Sequence, residues 1–396
     1  MTTTPRLRIA FVLDTFGEVK TGGVLSARRF VEALRRRHEV TVVAAGEPGA
    51  ESSAGSPGGG FAPLPSFYPP LFGTVMREMG FVFAVPRRSV LEGVLRAVDV
   101  VHLQFPFWLG MRTARLAREL GVPVVAGFHV QPENLFHSVR LRSAALVEAT
   151  YRLFLRRYFQ LADAVVCPSA FALGALRARG LSVPAEVVSN GIAAQFVPAP
   201  AIRRTAGGPF QLLSVGRLAR EKRHDVLIEG VRRSRHAAQI QLVITGRGPE
   251  ERRVRRLAAT LPRPAEVAFV SDDALLRLLQ GADLLLHASE VELEGMAVLE
   301  AMGCGTPALI ADSAQSAAPA LAATPELLFR AGDPADLARR LDALLDHPER
   351  LAEARARCLA RAAHLRLEES VRRLEAVYHR VLHQRATVGA RVASSP

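Results

Sequence analysis

Short apolar runs rich in Val, Ile and Leu, bounded by turn residues, alternate with amphipathic stretches of helical length from one end of the chain to the other. Few folds accommodate that alternation. Each apolar run is a strand that needs cover on both faces, and the intervening helix supplies it, so the chain is expected to build parallel βαβ units. The spacing predicts strands at 7–13, 39–45, 99–103, 123–128, 163–167 and 186–189, and a second series at 210–215, 239–245, 266–270, 282–287 and 306–311. Between the series, Pro198, Pro200, Gly207, Gly208 and Pro209 suit an extended link better than a packed element. A chain of 396 residues is long enough for two cores. The expected division is therefore an N-terminal domain over 1–200, a C-terminal domain over 201–364, and a tail over 365–396.

Composition removes several function classes. Hydrophobic residues make up 49% and charged residues 22%, which excludes wholesale disorder. No apolar run reaches the length of a bilayer span, and Met1 to Arg8 lacks the apolar centre of a signal peptide, so the expected location is the cytoplasm. Cys167, Cys304 and Cys358 are too few and too scattered for a disulfide framework or a metal cluster, and are expected to be buried thiols. The net charge of +13 favours anionic partners. It is spread over both halves without a zinc, homeodomain or RNP pattern, which argues against nucleic acid. Only two lysines, Lys20 and Lys222, stand among the 51 basic residues.

Two segments break the βαβ rhythm. Residues 46–70, dominated by Gly, Pro, Ser and Ala, read as a mobile surface loop. Residues 71–85 carry Leu71, Phe72, Met76, Phe81 and Phe83 ahead of Arg87 and Arg88. They read either as a helix packed on the first sheet or as an apolar flap with a basic hem for a membrane surface.

The stretch from Glu290 to Pro307 is the richest in chemistry. Glu290, Glu292 and Glu294 precede an amphipathic segment that opens near Gly295, and Glu300 falls in its second turn. A helix N-terminus with a glycine at its mouth offers free N–H groups and a positive dipole end to a phosphate. Glu292 and Glu300 would bracket that anion and accept hydrogen bonds from sugar and ribose hydroxyls. Attraction to the helix dipole explains the first three acidic residues equally well, but not Glu300 among the apolar Val298, Leu299, Ala301 and Met302. A second stretch, from Ser214 to His224, follows the first strand of the C-terminal series. Gly216 permits a tight turn, and Arg217 and Lys222 across it are candidates for one diphosphate.

Gly216-Arg217-Leu218 with Lys222, then Gly246-Arg247-Gly248-Pro249, then Glu292 and Glu300 with Met302-Gly303-Cys304-Gly305-Thr306-Pro307, resemble in order and spacing the retaining glycosyltransferases of family 4. Thr21-Gly22-Gly23, His129 and Ser189-Asn190-Gly191-Ile192 have counterparts there too, so the resemblance spans essentially the whole chain. It implies the GT-B fold, an α/β architecture of two doubly wound Rossmann-like domains facing a central cleft, with the last helix crossing back to the N-terminal domain. It implies a nucleotide diphosphate sugar as donor, a hydroxyl acceptor, retention at the anomeric carbon and no metal or other cofactor. On matching residues, Arg217 and Lys222 would hold the diphosphate, Glu300 the ribose and Glu292 the hexose. The amides of Gly295, Met296 and Ala297 would cradle phosphate or sugar oxygens, with Gly216 and Gly246 shaping the turns. Gly22 and Gly23 would approach the diphosphate from the other domain, and His129 would contact the sugar's primary hydroxyl or the acceptor.

The sequence departs from the pattern at Glu294, where phenylalanine is usual, and at Ser271-Asp272, where glycine is usual. These bear on the sugar pocket and on the base. The run from Phe128 to Asn134 and that from Ile310 to Ser313 resemble most a bacterial branch that glucosylates diacylglycerol. That resemblance implies a lipid acceptor and peripheral contact with an anionic membrane. The first 200 residues carry +8 against +5 for the rest. A helix-length stretch over 141–161 sets Arg142, Arg152, Arg156 and Arg157 beside apolar residues, as a membrane face would require. A soluble acceptor, or an epimerase or hydrolase on the same fold, are the alternatives.

Overall fold

A computed structural model describes residues 5–17, 21–46, 60–69, 73, 76, 81–138, 143–199 and 208–393. Most of the 46–60 loop, most of the 71–80 segment, Lys20, Arg142 and the 200–207 link lie outside the described residues. The chain divides into two compact units. The first comprises 1–132, 143–189 and 368–396, the second 133–142 and 190–367. Residues 190–199, assigned to the first domain by the sequence reading, thus group with the second unit.

The first unit is built on strands β1 (Arg8–Val12), β2 (Glu39–Ala45), β3 (Phe61–Leu64), β4 (Ser66–Phe67), β5 (Phe83–Ala84), β6 (Val100–Leu103), β7 (Val124–Gly127), β8 (Ala164–Cys167) and β9 (Ala185–Val187). Seven form one sheet in the order β3-β2-β1-β6-β7-β8-β9, parallel throughout, and β4 and β5 pair antiparallel. Every residue of β6, β7 and β8 is buried, as strands covered on both faces must be. β3 corrects the reading of 46–70 as loop. Phe61–Leu64 forms the edge strand on β2, and Leu64 is buried. Its internal Pro63 hides the strand signal and is tolerated because the strand lies at the edge.

The terminal helix, Leu367–Ala393, belongs to the first unit from residue 368 onward. Tyr378 Oη lies 3.0 Å from His102 Nδ1 on β6, and Glu375 lies 2.9 Å from His38 Nε2. Arg385 forks onto Asp163 at 2.9 and 3.0 Å.

The second unit holds β10 (Phe210–Val215), β11 (Ile240–Thr245), β12 (Glu266–Ala268), β13 (Leu284–His287), β14 (Ala308–Asp312) and β15 (Leu328–Arg330) in the order β12-β11-β10-β13-β14-β15, all parallel. This is the Rossmann strand order, and the topology reverses between β10 and β13. Leu212, Leu242, Ile244, Leu284 and Leu286 from the sheet pack with Leu227, Val231, Leu337 and Leu341 from the helices His224–Arg233 and Pro334–Leu345. Loops leaving the carboxyl ends of β10 and β13 therefore emerge side by side at the switch point, where such sheets bind ligands.

Candidate active site

The loop after β10 is fixed by its neighbour after β11. Gly216 N–H donates to Thr245 O at 3.0 Å, Leu218 N–H to Arg247 O at 2.8 Å, and Glu250 N–H to Leu218 O at 2.9 Å. Gly246 makes this fit possible, since a β-carbon there would run into the carbonyl of Gly216. A single turn of 3₁₀ helix, Arg220–Lys222, then carries Lys222 back over Gly216, where its Cε lies 3.6 Å from the position a β-carbon would take. Lys222 pairs with Glu292, and Arg217 with the buried Glu221.

The loop after β13 holds three alternate glutamates, and each engages a different partner. Glu290 pairs with Arg223, and its main-chain N–H donates to Glu221 O at 2.9 Å. Glu292 receives Lys222 and lies 3.3 Å from His287 Nε2. Burial works against ionisation of Glu292, but Lys222 and His287 outweigh it and hold the carboxyl well below the usual range. Glu294 accepts from Asn190 twice, from the main-chain N–H at 3.0 Å and from Nδ2 at 2.6 Å. Attraction to the helix dipole therefore does not account for these residues, because each carboxylate anchors a named side chain or amide. The substitution at 294 gains a structural reason as well: a buried carboxylate holds the Asn190 turn where an apolar ring would make no such bonds.

Gly295 caps the helix Met296–Gly303 at φ 110°, a left-handed conformation that favours glycine. The helical ladder starts with Val298 and Leu299 donating to Gly295 O, so the amides of Met296 and Ala297 precede it. Glu300 is buried in the second turn, as the spacing predicts. At the other sequence departure, Ser271 caps the helix Asp272–Gly281, accepting from Ala274 N–H at 3.3 Å. Arg247 lies over the ring of Phe269 at 4.2 Å.

In the first unit, Gly22 and Gly23 open the helix Gly22–Arg35. Gln104 Nε2, just past β6, donates to Gly23 O at 2.9 Å, so these residues too lie at a topology reversal, between β1 and β6. A β-carbon on Gly23 would sit 3.5 Å from that of His129. Burial pushes the His129 imidazole down to about 4, so it is neutral near pH 7. Asp14, two residues past β1, is buried and accepts from Ala84 N–H through Oδ1 at 3.2 Å. Burial raises its carboxyl to about 7.

The structure thus groups Gly216, Lys222, Gly246, Glu292, Gly295, Met296 and Ala297 around the three loops after β10, β11 and β13, with Arg217 on the first and Glu300 in the helix that leaves the last. Gly23 and His129 are grouped in the first unit, with Gly22 beside them in the chain. Sequence reasoning missed His287, Glu221, Arg223 and Asp14. Of these only His287 left a signal, an imidazole at the carboxyl end of a predicted strand. Among the described residues no group of three or more His, Cys, Asp or Glu could hold a metal ion, and no helix is long and apolar enough to cross a membrane.

Comparison with known proteins bears on the fold and the family. A solved structure of Anabaena HepE in complex with UDP and glucose superposes with a TM-score of 0.73 over 94% of this chain and 99% of that one, at 16% identity. That likeness defines the fold as GT-B, with two Rossmann-like domains. Residues 199–364 match the family described as glycosyl transferases group 1, and residues 21–196 match Glycosyltransferase Family 4. The GDP-mannose-dependent alpha-mannosyltransferase of Mycolicibacterium smegmatis is 30% identical over 318 residues, covering 78% of this chain and 80% of that protein. The alpha-monoglucosyldiacylglycerol synthase of Streptococcus pneumoniae is 27% identical over 229 residues, 54% of this chain, and the match spans 51% of that protein's length. The chain belongs to glycosyltransferase family 4.

Proposed function

We propose that this protein transfers a hexose from a nucleotide diphosphate sugar to a hydroxyl of a membrane lipid such as diacylglycerol, with retention at the anomeric carbon, working in the cytoplasm at the inner membrane face. The Lys222–Glu292 pair at the switch point carries the reading. It joins a cation suited to a diphosphate and an ionised carboxylate suited to sugar hydroxyls, next to the amides of a helix start. On donor binding, Lys222 and Arg217 turn to the diphosphate, the amides of Gly295, Met296 and Ala297 to its oxygens, Glu292 to the hexose and Glu300 to the ribose. As the bond from the anomeric carbon to phosphate oxygen breaks, the cations stabilise the leaving diphosphate. The acceptor oxygen bonds to that carbon on the same face, and its proton passes to the departing phosphate oxygen. His129, neutral at working pH, serves as a hydrogen-bond partner and not as a charge. No metal is required, because the cationic side chains supply the countercharge.

The membrane reading is supported by the first unit, where Trp108, Phe67 and Tyr68 are exposed. The ring of Phe67 touches that of Phe83 at 6.4 Å between centroids, and Phe83 that of Phe107 at 5.1 Å. Arg87 and the exposed Arg88 follow Phe83 closely in the chain. Exposed aromatics edged by arginines suit an interface with anionic lipid.

The test incubates the protein with UDP-glucose or GDP-mannose and diacylglycerol in anionic vesicles. An α-linked glycolipid is expected. Rapid donor turnover without acceptor would point to a hydrolase or epimerase, and product only with soluble acceptors would overturn the lipid assignment. Trp108 is the single tryptophan. Its emission should shift to the blue on anionic vesicles and not on neutral ones.

A further inference from the structure

Among the described residues, Arg223 is the one non-glycine residue with a left-handed backbone, at φ 48° and ψ 45°. An L side chain in that region carries strain that glycine would avoid. The position ends the turn that carries Lys222 and begins the helix His224–Arg233, so the backbone must bend there. A guanidinium at this bend has a specific use. Its Nε donates to Asp225 Oδ1 at 3.1 Å, and its Nη1 pairs with Glu290. Gly332 packs beside the pair, since a β-carbon there would lie 3.6 Å from Arg223 Nη1 and 3.7 Å from Glu290 Oε1, at van der Waals contact with both.

Two ion pairs therefore run side by side between the same two loops. Lys222–Glu292 joins the groups assigned above to donor diphosphate and sugar. Arg223–Glu290 joins residues close to them in the chain, and the main-chain bond from Glu290 N–H to Glu221 O joins the same two loops. The two pairs face different demands. Lys222 and Glu292 must part for the donor to take their places, whereas nothing in the proposed reaction calls on Arg223 or Glu290. We propose that Arg223 and Glu290 are positioning residues, a brace that keeps the β10 and β13 loops at one spacing while Lys222 and Glu292 exchange each other for the nucleotide sugar. The proposal rests on the donor-site reading above.

Arg223→Gly is the decisive variant, because it relieves backbone strain while cutting the brace. If Arg223 served stability alone, the variant would keep wild-type kinetics. The brace predicts an unfolding temperature close to wild type, with KM for the nucleotide sugar and Kd for UDP or GDP both raised about tenfold, the loss expected of one charged hydrogen bond. Glu290→Gln should match it. The double variant should be no worse than either single, as expected of two residues acting through one contact. Arg223→Lys, which keeps the charge and loses the fork, should recover part of the affinity. Wild-type kinetics in Arg223→Gly, or additive losses in the double variant, would overturn the brace. Should Arg223→Gly fail to fold, Glu290→Gln carries the same test. Lys222→Ala, measured in parallel, separates the two readings. Unchanged UDP and GDP affinity there removes the donor-site assignment, and a loss there without one in Glu290→Gln removes only the brace.

Discussion

Replacing Lys222 by alanine takes away a cation and strands its partner. For donor binding, loss of one charge-assisted hydrogen bond to a diphosphate costs about 1.5–3 kcal/mol, or about ten- to a hundredfold in Kd. For stability, the carboxylate of Glu292 is left buried beside His287 without the cation that offsets its burial. Removing one partner of a buried pair costs about 3–5 kcal/mol, and the residual access of solvent to both groups places this pair at the lower end. In a unit of this size about 3 kcal/mol lowers the unfolding temperature by about 6–12 °C. The two effects are separable in the double variant Lys222→Ala/Glu292→Gln, which no longer buries a stranded charge. Calorimetric titration with UDP and GDP, held well below the unfolding temperature of each variant, should show weakened binding in both. Scanning calorimetry should show stability lost in the single variant and largely restored in the double. Unchanged affinity in both variants would refute the placement of the diphosphate, and a double variant no more stable than the single would refute the reading of the pair.

Four further outcomes are expected from three variants. Glu292→Gln alone should lower turnover far more than nucleotide affinity, since the carboxylate is assigned to the sugar, and equal losses in the two would show it misplaced. The same variant should flatten the acid limb of stability. A carboxyl held below its ordinary value of 4.5 contributes stability above that value and loses it as pH falls further, which denaturation between pH 3 and 7 would read out. Asp14→Asn should behave oppositely: with the folded carboxyl raised to about 7, the native protein loses stability as pH rises from the unfolded value of 3.8 toward 7. The variant should therefore gain on wild type by about 4 kcal/mol between pH 4 and 8, and a constant difference across that range would remove burial as the cause. Gly246→Ala should cost about 2 kcal/mol or more, because its β-carbon meets a carbonyl in a loop already bonded at Leu218 and Thr245; chemical denaturation measures it.

The fold was legible because its signal is long-range and redundant. Both faces of β6, β7, β8 and β13 are covered, so their sequences read as unbroken apolar runs between turns, and those strands were found within two residues of their ends. β3 and β15 were missed for reasons of their own. Phe61–Leu64 includes a proline, and Leu328–Arg330 is three residues long. Phe61–Leu64 also follows a run of Gly, Pro and Ser that hides it, and Leu328–Arg330 ends in an exposed arginine.

The site was legible to the extent that its chemistry is carried by residue type at fixed spacing. Lys222, Glu292 and Gly295 could be named as candidates because an ammonium, a carboxylate and a glycine at a helix mouth are residue types suited to anions and hydroxyls, and the family resemblance picks out the same positions. Their partners could not, because pairing is a property of loops distant in sequence. Arg223 stands 67 residues from Glu290, and Asn190 stands 104 from Glu294. In sequence Glu290, Glu292 and Glu294 are three equivalent acidic residues before a helix. In the structure one braces a loop, one receives the single lysine of the second unit, and one holds a turn. The glutamate at 294 illustrates the limit. As a departure from the family pattern it counted against the sugar pocket, yet with Asn190 in place its buried charge accepts two hydrogen bonds, which is what lets a carboxylate stand there at all.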